Sequence, residues 1–138
     1  MNDILIMLHF FGLGAGFTAA IANPLVARQL AASPADAPVL IKLQPLLART
    51  GQIGLGLLWI TGLIMVWSIY GGPAGLPAEF WVKIGGVVAI TVVVVMLDIW
   101  GRRARAGDQA ARAQMPILGG ISGVLLILIV VYAVWAFH

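Results

Sequence analysis

Few side chains in this chain can do chemistry, and four of them fall at one expected depth. His9 lies five residues inside Ile4, and Lys83 three residues inside Phe80, each at the start of a long apolar run. At a rise of 1.5 Å per helical residue they sit about 7.5 and 4.5 Å below one face of a membrane. Met65 and Tyr132 are each five residues from the ends of their own runs, on the same side. Ionisable groups within a membrane helix are costly and mark candidate functional sites. The His9 imidazole can bind haem or metal through one ring nitrogen while a hydrogen bond fixes the other. The plainer reading is a neutral histidine bonded to a carbonyl or to a threonine such as Thr61. Lys83 has a long stem that can snorkel to the surface. Met65 and Tyr132 suit core and interface positions as well as a ligand's surroundings. Asp98 stands one turn before Arg102, the spacing of a structural ion pair.

Other chemistries are excluded. The chain has no cysteine, so disulfides, thiolate metal sites and cysteine nucleophiles are absent. Asp98 is expected at the opposite face from His9, which rules out a Ser–His–Asp arrangement. Gly12, Gly14 and Gly16 fall in mid-helix, where their amides are already bonded and cannot cradle phosphate. The paired intramembrane carboxylates of a proton relay are missing.

The elements that must hold these residues are membrane helices. The chain has 138 residues, of which 62% are hydrophobic and 9% charged, with a mean hydropathy of +1.05. Soluble domains carry about 25% charged residues. Four spans are expected, over about 4–26, 48–70, 80–100 and 116–137, forming one domain. Pro24 closes the first run, Ser33-Pro34-Ala35-Asp36 reads as a turn, and Gly71-Gly72-Pro73 breaks the second helix. The Val92–Val95 run would suit a strand, but the apolar stretch around it is long enough for a membrane helix. Trp67, Tyr70, Trp81, Trp100 and Trp135 lie near span ends, where interfacial aromatics gather. The stretch before the first basic residue has no basic leader and is too long for a signal-peptide core, so the first helix is expected to be retained.

Seven of the eight basic residues, namely Arg28, Lys42, Arg49, Arg102, Arg103, Arg105 and Arg112, border the first and third connections. The second connection has only Glu79. The positive-inside rule places the basic side in the cytoplasm and both termini outside. It also explains the sequence pI near 10.0 without nucleic acid, which is not an expected partner. The Arg102–Arg105 cluster is also a possible contact for anionic lipid.

Short connections and an even span number predict an all-α, antiparallel four-transmembrane-helix bundle, N-out and C-out. Gly12, Gly16 and Ala20 in the first helix, with Gly119 and Gly123 in the fourth, form small-residue faces for close packing or for a flat cofactor. Gly51, Gly54, Gly56, Gly85 and Gly86 extend that pattern.

Three stretches carry a resemblance. They are Leu8-His9 followed by glycines and Arg28, then Leu58 to Met65 (LWITGLIM), and Phe80-Trp81-Val82-Lys83 opening a helix that ends at Gly101-Arg102. In these the chain resembles HemJ-type protoporphyrinogen oxidases and, more loosely, CopD-like copper-resistance membrane domains. The resemblance spans nearly the whole chain, through short motifs in apolar sequence. It departs where Val26-Ala27-Arg28-Gln29 replaces a Tyr-His pair, and where Asp98 occupies the region of a second third-helix histidine. The likeness implies haem b or a porphyrin and carries over to His9, as metal ligand, and Lys83 only; Met65 and Tyr132 join them as cofactor-binding candidates through their shared expected depth. It also implies tetrapyrrole redox chemistry as one activity, and the inner membrane of a bacterium as the location. Membrane lipid, a tetrapyrrole and a second copy of the chain are the expected partners. Two other readings stand beside this one: a copper carrier using Met7, His9 and Met65 as soft ligands, and a non-enzymatic assembly scaffold.

Overall fold

The computed structural model describes residues 2–136, so Phe137, the expected end of the fourth span, lies outside the described residues. Four helices fill nearly all of this length: α1 (Asn2–Ala32), α2 (Ala37–Tyr70), α3 (Ala78–Arg105) and α4 (Gln109–Ala136). There is no strand among the described residues. All four helices are long and apolar enough to cross a membrane. The Val92–Val95 run is helical, as its apolar length required.

The breaks occur where the backbone is forced to turn. Gly71 takes φ 70°, a left-handed value open to glycine, and ends α2. The Gly72 amide then donates to the Val66 carbonyl at 3.0 Å. Gly107, at φ 102°, separates α3 from α4, and Asp108 starts α4 by accepting the Ala111 amide on its carboxylate at 3.1 Å. Pro34–Asp36 form a single 3-10 turn between α1 and α2.

Each helix outruns its expected apolar span. α1 continues through Pro24 to Ala32, and Pro45 and Pro116 likewise sit within helices. One proline removes one backbone bond, while Ala27, Ala31 and Ala32 beyond Pro24 are strong helix formers. The same preference winds most of 37–48 and 101–114 into helix rather than loop.

α1 packs along α2, and α3 along α4. α1 also meets α4, whereas α2 and α3 touch only lightly. The first seam is built on glycine. A Cβ on Gly54 would stand 2.6 Å from the Gly12 carbonyl, one on Gly12 would stand 2.9 Å from the Gly54 carbonyl, and one on Gly51 would stand 2.8 Å from Ala19 Cβ. Backbones this close leave no room for side chains, and small residues are what permits the approach. In the second seam Gly86 faces Ile129 and Gly101 faces Met115.

The small residues do not all serve the seams in the same way. A Cβ added to Gly16, Gly119 or Gly123 meets nothing within 4 Å. The Gly16 backbone still lies on the first seam, its amide nitrogen 3.0 Å from where a Gly54 Cβ would stand, beside the closer approaches at Gly12, Ala15 and Ala19.

Buried apolar residues are few and mostly modest in size, for example Ala19, Val66, Ala111 and Leu126, while Phe10 is 64% and Trp135 76% exposed. The accessible surface is 8770 Å², against about 6,900 Å² for a soluble monomer of this mass. Such an apolar exterior suits lipid and not water.

Candidate functional site

α1 places His9 on its seam with α2, one turn before Gly12. The His9 ring nitrogen Nδ1 lies 2.9 Å from Thr61 Oγ1. Thr61 is 2% exposed, and its hydroxyl donates to the Leu57 carbonyl one turn back at 2.6 Å. A hydroxyl has one proton. With that proton on Leu57, Thr61 can only accept from His9, so Nδ1 carries the hydrogen and Nε2 holds the lone pair of the neutral ring. Gly62 completes the seat: a Cβ there would stand 3.7 Å from His9 Cε1, so a bare α-carbon faces the imidazole edge. Thr61 was nameable from the sequence as a partner for His9, but Gly62 was not, since its role depends on how α2 is rotated.

Lys83 is carried by α3 and is half-buried. It stands on a different helix from His9, and α1 and α3 do not pack directly.

Met65 lies one turn beyond Thr61 on α2 and is partly buried. Tyr132 packs on its own helix, its ring centroid 6.3 Å from that of Trp135. Trp81 is 55% exposed. Met7 is also largely exposed, while His9 turns toward α2, so these two do not converge on one metal ion. No group of three or more His, Cys, Asp or Glu side chains able to hold a metal ion occurs among the described residues.

A second set of polar residues was not foreseen as a unit. Trp59 Nε1 donates to Thr91 Oγ1 at 3.0 Å across α2 and α3, and Thr91 donates onward to the Val87 carbonyl at 2.6 Å. Below this link the two helices part around a cleft of about 300 Å³, lined by Gln52, Leu55, Gly56, Trp59, Val94, Val95 and Asp98. Asp98 Oδ2 accepts from Arg102 at 2.7 Å, the ion pair expected from their spacing. Tyr70 and Phe80 close the same pair of helices at the other end, with ring centroids 5.7 Å apart.

No family model matches the chain, and no curated protein or solved structure matches it either.

Proposed function

We propose that this chain is a membrane haem- or porphyrin-binding protein that uses His9 as the iron ligand of haem b. The observation that carries the reading is the relay from His9 through Thr61 to the Leu57 carbonyl. An axial histidine needs one nitrogen bare and the other held by an acceptor, which fixes the tautomer and the ring orientation. The donor chemistry agrees. A bare metal ion would need several protein ligands that are not grouped here, whereas a tetrapyrrole brings four nitrogens and asks the protein for one or two.

Lys83 supplies the charge complement. A porphyrin's carboxylates are poorly tolerated in hydrocarbon, and an ammonium beside His9 would hold them near the membrane surface. Met65 and Tyr132 would offer apolar and aromatic contact in the same layer. When bound, the haem would supply one-electron chemistry, and an activity like that of the HemJ-type oxidases in tetrapyrrole synthesis is the enzymatic form of this reading. With one intramembrane histidine per chain, a second axial histidine would have to come from a second copy in a homodimer.

The same proposal includes a topology. Seam contacts pair Gly12 with Gly54 and Ala19 with Gly51, so α1 advances as α2 recedes. Gly86 with Ile129 and Gly101 with Met115 give α3 and α4 the same relation. We therefore assign an antiparallel bundle. The Arg-bearing connections face the cytoplasm, both termini face outward and His9 lies in the outer half. The inner membrane of a bacterium fits this arrangement.

The test is the visible absorption spectrum of the protein purified in detergent from cells supplied with haem. The wild type should carry a haem Soret band. His9→Ala should lose it while remaining helical and monodisperse, and Lys83→Ala should retain less haem. A wild type that purifies colourless and binds no porphyrin on titration would overturn the reading in favour of a scaffold.

A further inference from the structure

The cleft between α2 and α3 is separate from His9 and has its own chemistry. The Trp59–Thr91 hydrogen bond stands at one end, and beyond it Gly56, Leu55 and Gln52 of α2 and Val94, Val95 and Asp98 of α3 line the cleft. One end is therefore closed by an indole and the other carries an amide and a carboxylate, with aliphatic walls between them.

The walls have defined properties. The Trp59 N–H is spent on Thr91, so the indole offers only its ring surface and is held in place. Gly56 leaves the middle open, since a Cβ there would meet nothing within 4 Å. Gln52, Gly56 and Val95 are exposed, so the cleft opens sideways, to lipid in a membrane-embedded protein. Asp98 lines the cleft and its Oδ2 is held by Arg102, which leaves Oδ1 to accept a further hydrogen bond. The Gln52 amide makes no hydrogen bond among the described residues.

These features select the occupant. It arrives through the bilayer, presents a flat apolar body to Trp59 and the valines, and carries oxygen groups at one end. An acyl chain has nothing for Gln52 or Asp98. A lipid phosphate would meet the Asp98 carboxylate in the lining itself. The geometry points to a binding site for the oxygenated ring of a membrane-soluble quinone or quinol. Gln52 donates to a ring carbonyl, Asp98 accepts a quinol hydroxyl, and the isoprenoid or alkyl tail leaves through the lateral opening. A volume of about 300 Å³ matches the lower end of small-molecule sites and accommodates one such ring. The assignment rests on the membrane reading but not on haem binding.

The experiment titrates the purified protein in nanodiscs of neutral phospholipid with a decyl-substituted benzoquinone, following tryptophan fluorescence, which quinones quench. The wild type should show saturable quenching. Gly56→Leu, which fills open space and leaves the helix seams untouched, should weaken the apparent affinity at least tenfold, and Gln52→Ala about tenfold. Asp98→Asn should weaken the quinol more than the quinone. Quenching that rises linearly with quinone and is the same in wild type and Gly56→Leu reports partition into the bilayer and overturns the proposal. So does saturable quenching that none of the three variants alters. A helical spectrum and unchanged melting for Gly56→Leu show that it folds. Because the readout needs no haem, a colourless protein that still binds quinone would sink only the haem reading.

Discussion

His9 and Thr61 form a one-way hydrogen-bond relay: the imidazole donates to the hydroxyl at 2.9 Å, and the hydroxyl donates to its own helix at 2.6 Å. The direction follows from counting protons, and it makes the unprotonated nitrogen of the ring Nε2.

Thr61→Val keeps the shape and removes the acceptor. The His9 N–H then loses its partner in a desolvated place, at a cost of about 1–3 kcal/mol. If His9 ligates iron as proposed, losing this outer partner costs about 10–100-fold in affinity. Haem titration of the purified variant should therefore show at least tenfold weaker binding with its helical spectrum intact. Thr61→Ser should restore most of the affinity. A Thr61→Val protein binding haem as tightly as wild type would show that the relay does not orient a ligand.

Gly54 and Gly16 should respond oppositely to the same added methyl group. Gly54→Ala forces a carbon toward the Gly12 carbonyl, where 2.6 Å is available, and overpacking of this kind costs about 1–3 kcal/mol. Gly16→Ala adds a methyl to open space and should leave thermal melting in detergent unchanged or slightly raised, since alanine is the better helix former. Equal melting of the two variants would mean that the α1–α2 seam is looser than its backbone contacts require.

Orientation is testable because the chain has no cysteine. Ala74 and Ala106 lie exposed in connections at opposite ends of α3. A membrane-impermeant maleimide should label Ala74→Cys in intact cells and Ala106→Cys only after permeabilisation. The reverse pattern would put His9 and Lys83 in the cytoplasmic half.

What could be read from the sequence was local. The Gly71-Gly72-Pro73 break and the Asp98–Arg102 pair depend on helix ends or on spacing along one helix, and spacing is written in the chain. What could not be read depends on rotation between helices. Gly12 and Gly16 are equivalent in pattern and both backbones approach Gly54, yet a Cβ added to Gly12 would meet α2 while one added to Gly16 would meet open space. Trp59 and Thr91 escaped notice for the same reason: each reads as an ordinary residue of an apolar helix until the two helices are set side by side. Pro24 misled in a simpler way, since a proline was read as a stop where the helix absorbs one missing bond.

The unequal seams imply an order of assembly. α1 and α2 are locked backbone to backbone, α3 and α4 interlock through Gly86 and Ile129, and α2 meets α3 lightly. Within each half the helices are joined by the closer seam, and the halves meet chiefly through α1 and α4. The connection from Gly71 to Pro77 serves as a tether more than as a structural member. His9 belongs to one half and Lys83 to the other, so a site that used both would exist only after the halves have docked. A site divided in this way is completed by the last step of folding, and an unfinished bundle would have only half of it to offer.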